Sequence, residues 1–210
     1  PYCTTASNLY QNASVVQDLR YTYDPAGNLS RIEDAALKTV FHNGQRVDPV
    51  GSYTYDALYR LIAAQGREHI GQNALSLNPP NGNYRDYPFG GNGANPSDLQ
   101  ALRNYSESYD YDSVGNFETL RHVAAGGNWS RSYDYAEDSL IEPGKPSNRL
   151  TKTTYPDSTY TETVYDLAGN VDQERDRFGQ WTDYTYDAYG RLTDTVYPNG
   201  SSETRTYSNE

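Results

Sequence analysis

The sequence has no methionine, one cysteine, three histidines and two tryptophans in 210 residues, and each shortage removes a class of explanation. A lone cysteine, Cys3, cannot build an internal disulfide framework and leaves the redox compartment open. His42, His69 and His122 are far apart and lack the spacing of metal ligands. No apolar run approaches the ~20 residues that span a bilayer. Positive charge is also scarce. Seventeen Lys and Arg face 28 Asp and Glu, for a net charge of -11 and a pI near 4.6. That balance disfavours anionic membrane surfaces and a nucleic-acid partner, which needs a basic footprint. The start carries no signal-peptide pattern, and Pro1 is not an initiator residue, so a processed product or a fragment is expected.

Aliphatic residues are in short supply too. Hydrophobic residues make up 35% of the chain and the mean hydropathy is -0.91, low for an aliphatic core. What is abundant is tyrosine, with 22 copies against 4 phenylalanines. Tyrosine must therefore supply much of the burial, and each hydroxyl needs a partner or water. With many Thr, Asn, Asp and Gly residues, this composition favours hairpins over helices. Disorder is the alternative for a polar acidic chain, but disordered segments are poor in aromatics.

One unit recurs. Its clearest copy lies in Trp181 to Gly200, where Tyr184-Thr185-Tyr186-Asp187 ends a strand, Gly190 closes a turn, and Arg191-Leu192-Thr193 runs back. Period-two alternation puts Tyr184 and Tyr186 on one strand face. Asp187 can fold onto turn amides, and Gly190 can take the positive φ of a short hairpin. Earlier copies place Tyr21, Tyr23, Asp24 and Gly27, then Tyr53, Tyr55 and Asp56, then Tyr109, Tyr111, Asp112 and Gly115, then Tyr165, Asp166 and Gly169. In the second copy Tyr59 replaces the glycine, so a differently closed turn is expected there. Tyr133-Asp134-Tyr135 is a degenerate copy with Ala136 at the aspartate position. Arg205-Thr206-Tyr207 is a partial copy with Ser208 there. Tyr165, Tyr186 and Tyr207 are spaced by 21 residues. Such a period signals stacked units that bury their faces against neighbours.

The whole chain, 1–210, reads as a single segment of such repeats with two interruptions. Residues 71–104, rich in Pro and Gly, form a long loop insertion, within which Ser97 is expected to cap one or two helical turns through Arg103. Residues 137–147 form a shorter insertion. Between Asp34 and Asp48, Asn43-Gly44 is a further hairpin signal. Both ends are expected to present open β edges, to be covered by flanking sequence or by another subunit.

The pattern Tyr-x-Tyr-Asp-x-x-Gly-Asn/Arg-Leu resembles the YD repeat of RHS proteins, a group that includes bacterial toxins and animal teneurins. From Leu19 to Leu150 the residues LRYTYDPAGNL, YTYDALYRLIAAQGREH, YDYDSVGNF and SNRL are similar to the RHS region of bacterial insecticidal Tc-type toxin proteins; from Thr151 they resemble generic YD repeats. The resemblance implies an all-β fold in which YD-repeat hairpins stack into a spiralling, shell-like antiparallel sheet. It also implies a function as a structural shell, or cocoon, that encapsulates a toxic polypeptide and helps deliver it, in a secreted or extracellular bacterial protein. The family's core plug and self-cleavage segment have no match: Asp24-Pro25 and Asp48-Pro49 do not sit in such a motif.

No constellation points to an enzyme. The repeat aspartates sit at hairpin mouths, where they cap turns. Asp172, Glu174 and Asp176 alternate as in a calcium loop, but Arg177 occupies the place of the tight-turn glycine. His69 is expected to pair with Glu68 or a neighbouring strand. No nucleophile elbow or phosphate-cradling loop is present. Asn12, Asn28, Asn104, Asn128 and Asn199 begin glycosylation triplets at a frequency chance explains. No cofactor and no metal are expected. The expected partners are flanking RHS repeats or identical subunits through the β edges, and an enclosed toxin polypeptide. Two other readings are a self-assembling extracellular filament or tube, and a carbohydrate-binding adhesin using exposed tyrosines, Trp129 or Trp181.

Overall fold

A computed structural model describes residues 15–72, 95, 97–142 and 144–208, and these form strands and turns without a helix. Cys3 and Asn12 lie outside the described residues, as does most of 71–104. Thirteen strands hydrogen-bond in nearly sequential order as one sheet, and every pairing with a resolved register is antiparallel. The described residues fall into two compact units, 15–108 with 122–128, and 109–121 with 129–208.

In the first unit β1 (Leu19–Tyr23), β2 (Leu29–Asp34), β5 (Val50–Tyr55), β6 (Leu61–His69) and the start of β7 (Leu102–Tyr111) are consecutive in the sheet. A separate hairpin, β3 (Val40–His42) and β4 (Gln45–Val47), is closed by Asn43 and Gly44, both at positive φ (47° and 76°). Two successive residues with positive φ give the turn whose twist matches that of the flanking strands. This brings Val40 opposite Val47, and both are buried. Two glycines in the sheet seat tyrosine rings. A Cβ on Gly51 would lie 2.9 Å from Tyr53 Oη, and one on Gly66 2.8 Å from Tyr105 Oη.

Ser97 does not start a helix. Asn95 Oδ1 accepts the Ser97 amide and Asp98 Oδ1 the Gln100 amide, giving two consecutive turns that run directly into β7. Leu102 and Arg103 pair with His69 and Glu68 across the ladder. Inter-strand pairing outweighs a local capping signal that has no apolar helical face behind it.

In the second unit β9 (Trp129–Asp134), β10 (Lys152–Thr154), β11 (Tyr160–Tyr165), β12 (Val171–Arg175), β13 (Trp181–Tyr186), β14 (Leu192–Val196) and β15 (Ser202–Thr204) follow one another as a meander. The cross-strand pairs Thr153↔Tyr133, Thr153↔Thr161 and Tyr184↔Thr195 place threonines between tyrosines on one face. Thr153 and Thr195 are buried there. The opposite face carries Lys152, Tyr160, Arg175, Trp181 and Asp183, so aromatics occur on both.

Candidate functional site

The repeated turn is built from five residues beginning at aspartate. Asp24 donates its amide to the Asn28 carbonyl and accepts the Gly27 amide on its own carbonyl, at 2.8 and 3.0 Å. The same two bonds close the turns at Asp56, Asp112, Asp166 and Asp187. The fourth residue is left-handed in each: Gly27 (φ 93°), Tyr59 (62°), Gly115 (102°), Gly169 (90°) and Gly190 (73°). This is a type I turn followed by a left-handed bulge residue. Tyr59 adopts the glycine conformation instead of forcing another closure, contrary to expectation, because the amide bonds at Asp56 outweigh the strain on a Cβ there.

Each aspartate does the same work twice over. Its Oδ1 accepts the amides of the third and fifth turn residues: Ala26 and Asn28, Leu58 and Arg60, Val114 and Asn116, Ala168 and Asn170, Tyr189 and Arg191. Its Oδ2 accepts the fifth residue's side chain at 2.7–2.9 Å, from Asn28, Asn116 and Asn170 through Nδ2 or from Arg60 and Arg191 through Nε. The Asn-or-Arg choice in the repeat follows, since both present an N–H to the same oxygen. These contacts hold the carboxyls below the ordinary value of 3.8. The Asn side-chain amide leads for Asp24 and Asp166, and the Arg backbone amide for Asp56 and Asp187. At Asp112 burial pulls the other way and the Asn116 bonds outweigh it.

The bulge shifts register between Thr22 and Tyr23, Thr54 and Tyr55, Val164 and Tyr165, and Thr185 and Tyr186. Each second tyrosine of these four thereby faces the first residue after its own turn, as Tyr186 faces Leu192. In three of the repeats the second tyrosine's hydroxyl reaches the preceding repeat: Tyr55 Oη donates to the Leu29 carbonyl, Tyr165 to Leu150 and Tyr207 to Leu192, at 2.9–3.0 Å. Of the remaining repeat tyrosines, Tyr21 and Tyr23 are exposed, whereas Tyr109 and Tyr111 pack against Phe117. Tyr184 Oη donates to Glu174, and burial first, then that carboxylate, pushes its pKa up to about 12.

An RHS Repeat family model matches residues 165–202, the stretch holding the Asp166 and Asp187 turns. The chain carries RHS repeats. It is 37% identical over 162 residues to toxin subunit YenC1 of Yersinia entomophaga, covering 77% of this chain and 15% of that protein. It is 42% identical over 114 residues to toxin subunit YenC2 of the same organism, covering 53% of this chain and 11% of YenC2. The chain thus spans only about a seventh or less of these relatives. A chain of the TcdB2-TccC3-Cdc42 crystal structure aligns with 28% identity over 90% of this chain and 9% of that one, at a TM-score of 0.48.

The RHS meander has a second row of turns that the Tyr-x-Tyr-Asp pattern does not reveal. Tyr155–Thr159, Asp176–Gln180 and Tyr197–Ser201 close with the same pair of backbone bonds, with Ser158, Gly179 and Gly200 left-handed. Each 21-residue RHS step therefore contains two turns, at opposite strand ends. The spacing of Asp166, Asp176 and Asp187, with a glycine three residues after each, is the signal that marks the Asp176 turn. Asp176 accepts the Phe178 and Gln180 amides, so its carboxylate serves a turn, apart from Asp172 and Glu174 on β12. No group of three metal-binding side chains occurs among the described residues.

The first unit also holds a buried charged cluster with no signal in the RHS pattern. Arg103 donates through Nε to Glu68 (2.5 Å), through Nη1 to the Ala125 carbonyl and through Nη2 to that of Gln72. His122 lies between Glu68 (3.2 Å from Nε2) and Glu107 (3.0 Å from Nδ1), and stacks on Tyr105. A Cβ on Gly127 would fall 2.0 Å from Arg103 Nη2, so the cluster requires glycine there. His69 does not pair with Glu68. The two side chains leave opposite faces of β6, and His69 instead donates to the Asp98 carbonyl while accepting the Gly71 amide. The asparagines of the described glycosylation triplets engage protein groups: Asn28 with Asp24, Asn104 with Arg46, Asn128 with Ala124 and Asn199 with Ser201. Trp129 and Trp181 are half-buried rather than exposed, and Trp129 already carries the Arg131 guanidinium. Among the described residues no helix is long and apolar enough to cross a membrane.

Proposed function

We propose that residues 1–210 form one length of β-sheet wall in a larger bacterial RHS-type toxin protein, with 71–104 and 137–147 as insertions in that wall. The wall encloses a polypeptide cargo, keeps it from the producing cell and helps deliver it outside. The observation that carries this reading is the use of the repeat's own chemistry. The turn carboxylates are spent on turn amides, and three of the second tyrosines bond to the preceding repeat. A polar meander of this kind extends by adding units and remains wetted on both faces, as a container wall requires. The relatives, both toxin subunits, support the same reading. In it the chain is a structural element and not a catalyst, and its partners are adjoining RHS repeats and the enclosed polypeptide.

Electron microscopy of the full-length protein tests this. Closed hollow particles with internal density are expected. Long polymers would replace the container with a filament, and particles without a lumen that bind a glycan array would replace it with an adhesin.

A further inference from the structure

The second unit holds a guanidinium fixed in place without an acid to neutralise it. Nine arginines of the described residues pair with carboxylates. Arg131 on β9 makes neither a hydrogen bond nor an ion pair with them. Its Nε is shut off from solvent and has no acceptor. What holds it is aromatic: the guanidinium lies 5.0 Å from the Trp129 ring and 5.3 Å from the Tyr155 ring. Tyr155 also carries Arg177 at 4.0 Å, but Asp157 neutralises that charge at 3.0 Å. The acid of β9 itself, Asp134, points to the opposite face, three residues along a period-two strand.

A buried donor without an acceptor is costly in a folded protein, and a free cation in a chain of net charge -11 is conspicuous. The Trp129 and Tyr155 rings flank the guanidinium before anything binds, which lowers the side-chain entropy left to lose. Arg131 as a whole is half-buried and only its Nε is shut off from solvent without an acceptor, which leaves the terminal nitrogens as the fork that matches the two oxygens of a carboxylate. We propose that Arg131 is the receptor for an acidic side chain, Asp or Glu, of a polypeptide lying against this face. Trp129 and Tyr155 are already engaged by guanidinium groups, which argues against a sugar ring stacking on them.

The test uses the whole chain in a Trp181→Phe background, so that Trp129 is the sole tryptophan and can be excited beyond the tyrosine absorption band, titrated with pentaglutamate at low salt. A saturable change in Trp129 emission is expected. Arg131→Gln should weaken it roughly tenfold or more, and Arg131→Lys, which keeps the charge but not the fork, should weaken it measurably. The melting temperature of Arg131→Gln should stay close to that of the parent, because removing an unsatisfied buried donor offsets the loss of two cation–π contacts. Unchanged affinity in Arg131→Gln, equal binding of pentaglutamine, or preferential binding of inorganic phosphate or sialyllactose would each overturn the proposal. So would a lower melting temperature in both variants, which would make the stack a structural pin. Should Arg131→Gln fail to fold, Arg131→Lys decides alone, and parental affinity in it refutes the role.

Discussion

In the first unit Val40, Val47, Ala64, Ala101 and Ala124 are buried, along with His69, Arg103 and His122. In the second, the buried side chains among the described residues are Thr153 and Thr195. The five buried apolar residues do not come from the repeat's tyrosine pattern. Val40 and Val47 belong to the added hairpin and Ala101 to the turns before β7, while Ala64 on β6 and Ala124 on β8 (Phe117–Ala124) are small residues on strands returning from the Asp56 and Asp112 turns. Where the repeat is interrupted, the chain gains a small conventional core and a charged cluster. Where it runs on, half-buried tyrosine, threonine and cation–π contacts do the work, as with Arg175 over Tyr160 and Arg149 over Tyr165. Stability should therefore be concentrated in the first unit and spread thinly through the second.

The sharpest way to break this contrast is Arg103→Gln. It leaves Glu68 buried without its main partner, and removing one member of a buried ion pair costs about 3–5 kcal/mol. Urea unfolding followed by circular dichroism should show that loss, and a cost under about 1 kcal/mol would mean the cluster is solvated after all. In the second unit, Tyr165→Phe removes one hydroxyl bond to the Leu150 carbonyl and should cost only about 1 kcal/mol in the same measurement. Tyr59→Gly should have the smallest effect and the opposite sign. Relief of left-handed strain, roughly 1–2 kcal/mol, is partly cancelled by the greater freedom of glycine in the unfolded chain. A net gain of up to ~1 kcal/mol is expected, and a loss would show that the exposed Tyr59 ring contributes contacts that outweigh the strain.

The Asp-led turns were legible because their signal is local: an aspartate, a residue able to turn left-handed three positions on, and an Asn or Arg next to it. The Asn43-Gly44 hairpin was legible for the same reason. The turns at Tyr155 and Tyr197 begin with Tyr-Pro, so a search keyed to Tyr-x-Tyr-Asp passes over them although their backbone bonds are identical. The contact of Arg103 with Glu68 spans 35 residues and depends on the β6–β7 register. A one-residue slip would send each side chain to the other face, so composition and spacing carry no trace of it. Ser97 misled for the converse reason, as a strong local cap in a segment whose course is set by pairing with β6.

Tyrosine, with its hydroxyl bonded or buried, holds the uninterrupted repeats together. Alkaline titration tests this directly, with tyrosinate absorbance and circular dichroism followed in parallel. Burial pushes Tyr165, Tyr184 and Tyr186 above their ordinary value of 10.0, with Tyr184 at about 12. A raised folded-state value means that this stabilisation is complete below pH 10 and is lost as pH rises through the folded values. A class of tyrosines is expected to stay protonated beyond pH 10 and to ionise only as the β-sheet signal collapses. Ionisation of all tyrosines near pH 10, with the sheet intact, would contradict it.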